Sequence, residues 1–406
     1  MKNNPAYLLA VLLIVFLMHG CSMSKSSSNL SHWVGTWATA PQLVEPYNNP
    51  PEPGLSHNTI RQIVRVSIGG ELLRIRFSNL FSNSEVELKS VAIAPALEDG
   101  FVDISAQKIL KFSNSEHATM MPGSEITSDP VQFDLKPGMS LAITIWFGET
   151  SPNVTGHPGS RTTSYILTGN HIGSADFQGA VKTDHWYVIN GIDVQASKNS
   201  STIAVLGNSI TDGRGSGTNK QNRWTDILSE RLLGNSQTDH IGVLNMGIGG
   251  NCVLRGGLGP TALERFDRDV LSQSSVKWLI ILEGINDIGG IKTQKEAEEV
   301  AKELILAYDN MITKAHSQGI LVYGATILPF AKSFYDNEHR QLARDKVNDW
   351  IRNSQRFDAV IDFDRIMQNP SNIKTILSDM HDNDFLHPNE AGYKRMGESV
   401  DLSLFN

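Results

Sequence analysis

From Thr202 onward the chain repeats one pattern: a short apolar run, a bend rich in glycine or polar residues, then a helical stretch. The runs are TIAVLG, IGVLNMG, VKWLIILEG, ILVYGATI and AVIDF, and none of them alternates with polar residues as a half-exposed strand would. Strands of this kind, separated by helices, require a parallel sheet buried on both faces, which is an α/β, doubly wound, flavodoxin-like architecture. The clearest helix spans about Gln294 to Gln318, where Ala297, Val300, Ala301, Leu304, Ile305, Tyr308, Met311, Ile312 and Ala315 share a face and Thr293 and Glu296 have capping-box spacing. Sheets of this class bind ligands beyond the carboxyl ends of their strands, so chemistry belongs in the residues that follow each run.

Upstream the period is two. TIRQIVRVSI, LLRIRFSNL, VELKSVAIAP, MSLAITIWF and RTTSYIL alternate apolar and polar residues between clusters of Gly, Pro, Asn and Asp. No long helical pattern interrupts them. The expectation is an all-β, jelly-roll-like sandwich. A polar break, ASKNSS, separates the two patterns, so the sandwich domain is assigned to residues 32–196 and the catalytic domain to 201–406. Trp146, Tyr165, Trp186 and Tyr187 read as sandwich core rather than as a sugar-stacking platform.

The first residues carry a different signal. Lys2 precedes an apolar run from Ala6 to Met18, long enough for export and too short to span a bilayer. Residues 1–20 therefore read as a signal peptide, and Gly20 before Cys21 resembles the lipobox of bacterial lipoproteins, which implies a lipid on Cys21 and a polar tether over residues 21–31. Cleavage without lipidation is the alternative. Either reading places the protein outside the cytoplasm, at the cell surface or in the periplasm, with membrane attachment through the lipid where one is present.

A net charge of -8 and the lack of any long basic run argue against a nucleic-acid partner. Apart from Cys21 the chain has a single thiol, Cys252, so no disulfide framework exists, and Cys252 reads as a small buried apolar residue. Scattered Asp, Glu and His show no metal-ligand spacing. Neither a metal nor a cofactor is required by the chemistry below.

The bend after the first strand, GNSITDGRGSG, lacks the Lys-Ser or Lys-Thr pair of a P-loop and the third glycine of a dinucleotide fingerprint. Thr211 also occupies the last glycine position of the G-x-S-x-G elbow. What remains is Ser209 as a nucleophile, which needs a base, an orienting acid and oxyanion donors. Asp384 and His387, three residues apart in DNDFLHP, offer a carboxylate for the imidazole Nδ1 and leave Nε2 free to take the Ser209 proton. After the second strand, NMGIGGN can expose a backbone N–H, assigned to Gly250 with Gly247 and Gly249 as alternatives, and after the third, Asn286 can donate its side-chain amide. With the Ser209 N–H these form a three-donor oxyanion hole.

Four separated blocks holding Ser209, Gly250, Asn286 and the Asp384–His387 pair, in this order, resemble the SGNH, or GDSL-like, hydrolases. The opening WVGTWATAPQ is similar to bacterial members that carry a β-rich domain ahead of the catalytic one. One departure is Asn208, which stands where the family's first block usually has aspartate and is expected to alter loop hydrogen bonding rather than the chemistry. The resemblance implies an exported serine esterase acting on small-molecule or polysaccharide esters, with O-acetyl groups on carbohydrate as the expected substrate. The alternatives are a lipase or arylesterase, an O-acyltransferase and a non-catalytic glycan-binding lipoprotein.

Overall fold

The computed structural model describes residues 31–406. The signal segment, Cys21 and residues 21–30 of the tether lie outside the described residues.

Residues 32–196 form antiparallel sheets. In one, His32–Ala38, Ile189–Ala196, Gly70–Ser78 and Glu125–Thr127 lie side by side; in the other, Ser164–Thr168, Asn58–Arg65, Ser140–Phe147 and Val86–Pro95 form the centre. Alternation fixes which side faces in: Leu73, Ile75 and Phe77 from the first sheet meet Leu141, Ile143 and Ile145 from the second in one core. Trp186 and Tyr187 are buried there, and Trp186 meets Trp37 edge to face at 5.0 Å, whereas Tyr165 is buried outside this cluster. Trp146 is half-buried.

The second half is a five-stranded parallel sheet in the order Ile241–Gly247, Ser201–Gly207, Val276–Leu282, Leu321–Ala325, Ala359–Ile361. The sequential strands thus run 2-1-3-4-5, so the order reverses beside the first strand, the position at which doubly wound sheets open a crevice. Alternate residues of the same strand feed opposite cores. Ala204, Leu206, Leu279 and Ile281 pack under the helices Gln294–Ser317 and Glu338–Asn353, whereas Ile203, Val205, Ile280 and Leu282 pack under Trp224–Leu233 and Glu390–Ser399. The long helix begins where capping chemistry predicts, with Thr293 Oγ1 accepting from the Glu296 N–H at 3.2 Å.

The two halves are packed against each other. Strand His32–Ala38 lies against Ile241–Gly247, and Ala38 and Ala40 join Leu244, Met246 and Ile248 in one apolar cluster. The approach is close enough that a Cβ on Gly242 would stand 2.2 Å from the Gly35 carbonyl. Ser67 Oγ, from the β half, accepts the Val243 N–H at 3.1 Å. Among the described residues no helix is long and apolar enough to cross a membrane.

Candidate active site

Ser209 opens a one-turn helix, Ser209–Asp212, immediately after the first parallel strand. Asn208 caps that turn by accepting the Ile210 N–H on its side-chain oxygen at 3.1 Å. Gly207 permits the sharp entry, because a Cβ there would fall 2.2 Å from Thr211 Oγ1. Ser209 Oγ lies 2.9 Å from His387 Nε2, and His387 Nδ1 lies 2.6 Å from Asp384 Oδ2. The Leu386 and His387 N–H groups both donate to Asp384 Oδ1 at 2.9 Å, so the loop holds the carboxylate while the carboxylate holds the ring. Burial pushes the Asp384 carboxyl up, but the hydrogen bonds from the His387 ring and from the His387 and Leu386 backbone outweigh it and hold the group well below the usual carboxylate range. A hydroxyl, imidazole and carboxylate joined in this order can pass the hydroxyl proton to Nε2 while the ring stays fixed.

Gly250 and Asn286 line the same cavity as Ser209 and His387, a space of about 330 Å³. Gly250 sits at φ +69°, a conformation that glycine adopts without strain. Gly249 also lines the cavity, whereas Gly247 does not, and a Cβ on Gly247 would stand 2.3 Å from the Asp212 nitrogen. The N–H groups of Ser209 and Gly250 have no hydrogen-bond partner among the described residues. Asn286 is locked from both ends: Nδ2 donates to the Asn251 carbonyl at 2.7 Å and Oδ1 accepts from the Tyr335 hydroxyl at 3.0 Å. One N–H of that amide is left over for a ligand.

Below the site lies a buried polar network. Arg265, with no exposed side-chain surface, donates to the Gly207 and Met246 carbonyls, to Asn251 Oδ1 and to Asp269. It thereby ties the ends of the first two strands to the loop that carries Gly250 and Asn251. Glu283 Oε2 accepts from Asn208 Nδ2 at 3.2 Å and from the Gly284 N–H at 3.1 Å. The Asn208 amide thus ties the turn to Glu283 by a hydrogen bond that an ionised aspartate at position 208 could not donate.

Burial pushes the Glu283 carboxyl up to about 8, against the pull of Arg265. Between its ordinary value of 4.5 and about 8 the folded protein therefore keeps a proton that the unfolded chain has lost, and stability falls as pH rises through that window. In Glu283→Gln this contribution disappears. Melting temperatures taken at about pH 5 and about pH 8 should differ less in the variant than in the wild type, and equal differences would contradict the assignment.

Residues from the β half complete the site, and sequence reading did not find them. His157 bonds the Ala40 carbonyl through Nδ1 at 3.0 Å and Asp212 Oδ1 through Nε2 at 2.8 Å. These two buried contacts clamp the end of the Ser209 helix to the β half. Gly159 makes room for this, since a Cβ there would lie 1.9 Å from Asp212 Oδ2. No local pattern could have marked His157, which is separated from Asp212 by 55 residues. Tyr335 was within reach of sequence reasoning, because it follows the fourth strand and strand ends converge. Cys252 is buried, and burial with the nearby Asp287 and Glu283 pushes its thiol up to about 12, which keeps it protonated and inert. Among the described residues no group of three or more His, Cys, Asp or Glu is placed to hold a metal ion.

Residues 205–395 match the model of the GDSL-like Lipase/Acylhydrolase family. The C-terminal half of the chain is thus similar to this family. No curated protein matches the sequence. Among solved structures, the chain is similar to a member of the lipolytic protein G-D-S-L family from Veillonella parvula DSM 2008, at 20% identity over 51% of this chain and 98% of that one, with a TM-score of 0.36. It is also similar to a GDSL-like lipase from Bacteroides thetaiotaomicron VPI-5482, at 18% identity over 52% and 90% of the two chains and a TM-score of 0.37. A third similar structure is a catalytic mutant of an acetylxylan esterase from Geobacillus stearothermophilus, at 19% identity over 50% and 94% and a TM-score of 0.38.

Proposed function

We propose that this GDSL-like hydrolase is an exported serine esterase that removes short acyl groups, with O-acetyl groups on carbohydrate as its substrates. Ser209 Oγ attacks the ester carbonyl carbon while His387 Nε2 takes its proton. The carbonyl oxygen, now negative, receives the N–H groups of Ser209 and Gly250 and the free N–H of Asn286. Asp384 stabilises the imidazolium. The ring then protonates the leaving alkoxide, and the alcohol departs. Water, deprotonated by the same imidazole, attacks the acyl-serine, releases the acid and restores the hydroxyl.

The observation that carries this reading is the 2.9 Å contact between Ser209 Oγ and His387 Nε2, made by residues 178 positions apart. Support for a small acyl group and a polar alcohol comes from the cavity. Its volume of about 330 Å³ is near the lower end of ligand sites, and Gln42, Glu45, Asn48, Arg161 and His185 line it from the β half. Export is supported by the basic and apolar pattern of residues 1–20.

Turnover of a series of para-nitrophenyl esters tests the acyl assignment, with acetate expected to be fastest and rates to fall with each added methylene pair. Rates that climb toward long chains would favour a lipase instead. Acetylated xylan and other acetylated glycans should release acetate under the same conditions, and acetyl transfer to added sugar outrunning hydrolysis would favour a transferase. In Asn286→Ala one oxyanion donor is lost, so kcat should fall by about 10² to 10³ while KM changes little. Equal losses from Asn286→Ala in kcat and in binding of the product alcohol would contradict the donor role.

A further inference from the structure

Two guanidinium groups line the cavity that holds Ser209 and His387: Arg161 from the β half and Arg214 from the loop after the Ser209 helix. Neither donates a side-chain hydrogen bond to any acceptor among the described residues, although every guanidinium has five N–H groups to place. Arg161 Nε is buried and unpartnered. The nearest carboxylate, Asp212, stands 4.0 Å from Arg161 Nη2, at the limit of an ion pair, and already pairs with His157 at 2.8 Å. Glu45 also lines the cavity, but its two oxygens accept from the amides of Gln42 and Asn48 at 2.7 and 3.1 Å. The acidic groups of the wall are thus engaged while the cations are not.

The backbone presents both arginines rigidly. Arg161 sits at φ +51°, a left-handed conformation that non-glycine residues hold only when their surroundings enforce it. Ser160 and Thr162 hydroxyls exchange hydrogen bonds across it, and its carbonyl accepts the Asn219 N–H at 2.9 Å. Arg214 is held through its N–H to the Ser209 carbonyl at 2.9 Å and through its own carbonyl, which accepts from the Tyr393 hydroxyl at 2.6 Å. Its side chain is exposed. A planar fork of donors beside a reacting centre, with no acceptor of its own, matches a carboxylate or a phosphate.

We propose that the cavity selects esters whose alcohol part carries an anionic group, a carboxylate or a phosphate, and that Arg161 and Arg214 receive it. This rests on the acetyl-ester reading, because an acetyl group is uncharged and the anion must then belong to the alcohol. Acidic sugars, either uronates or sugar phosphates, are the corresponding substrate class.

The test compares kcat/KM for an acetylated methyl glucuronoside, an acetylated sugar phosphate and an acetylated methyl glucoside, with para-nitrophenyl acetate as a neutral reference. At low ionic strength at least one charged ester should exceed the glucoside by about tenfold, and the advantage should shrink as salt is added. Preference for one charged ester alone identifies which anion is meant. In Arg161→Gln and in Arg214→Gln the ratio should fall toward one, and in Arg214→Glu it should invert. Because Arg161 packs beside the buried His157–Asp212 contact and its variant can misfold, the exposed Arg214 provides the independent reading. Charged and neutral sugars turned over equally by the wild type, or a ratio untouched in both glutamine variants, would overturn the proposal. If para-nitrophenyl acetate is hydrolysed while the charge preference is absent, only the anion subsite fails. If no ester is hydrolysed, the esterase reading fails and takes the subsite with it.

Discussion

Ser209→Ala is expected to lower kcat on para-nitrophenyl acetate by about 10⁶-fold and to leave the melting temperature close to that of the wild type. The substitution deletes one oxygen from a helix that is held elsewhere, by the Asn208 cap and by the Asp212–His157 pair. Among the described residues the hydroxyl's one hydrogen bond is its 2.9 Å contact with His387. The oxyanion donors remain, so a residue of catalysis of about 10³ over water should persist. A Ser209→Ala protein that turns over esters at a tenth of the wild-type rate would remove the nucleophile from the scheme.

Asp384→Asn should cost about 10⁴ in kcat with KM little affected. The asparagine oxygen can still accept from the Leu386 and His387 N–H groups, which keeps the loop in place. Its NH₂ would then face His387 Nδ1 and force the ring proton onto Nε2, where it points at Ser209 and cannot be exchanged for the serine proton. The depressed carboxyl of Asp384 has a consequence for stability. An acid held below its ordinary value of 3.8 stabilises the fold above that value, and the contribution is lost as pH falls through the lower folded value. Asp384→Asn should therefore narrow the difference between melting temperatures at neutral pH and at about pH 3. An unchanged acid limb in the variant would show that the carboxylate is not held as the hydrogen bonds indicate.

Much of the fold was legible because the two halves obey different periods. Inward positions such as Leu73, Ile75 and Phe77 alternate with exposed or half-exposed ones, and a period of two admits only a half-buried strand. In the second half Val205 and Leu206 are both fully buried though adjacent, which only a sheet covered on both faces allows. The short strands Glu125–Thr127 and Val181–Thr183 carry too few residues for any alternation to register. They exist because longer neighbours offer them a ladder.

The site divided along the same line. Ser209, Gly250, Asn286 and His387 each follow a strand or precede a helix in a short block with its own turn chemistry, so reading strand ends was enough to nominate four residues that line one cavity. Arg161 and His185 reach the cavity, and His157 reaches Asp212, only because the β half packs against the strand Ile241–Gly247, and that docking leaves no periodic trace in the sequence. Glu283 shows a different limit. It looks like an ordinary strand-end acid in LEGIND, and only burial beside Arg265 and Asn208 reveals why it must be accommodated.

The central claim is that His387 activates the Ser209 hydroxyl, and covalent labelling with a fluorophosphonate tests it most directly. Intact mass and peptide mapping of the wild type should show one adduct per chain, located on Ser209. In His387→Ala the same adduct should form more slowly by several orders of magnitude, the protein remaining folded. An adduct on another residue, or labelling of Ser209 at an equal rate without the imidazole, would contradict it.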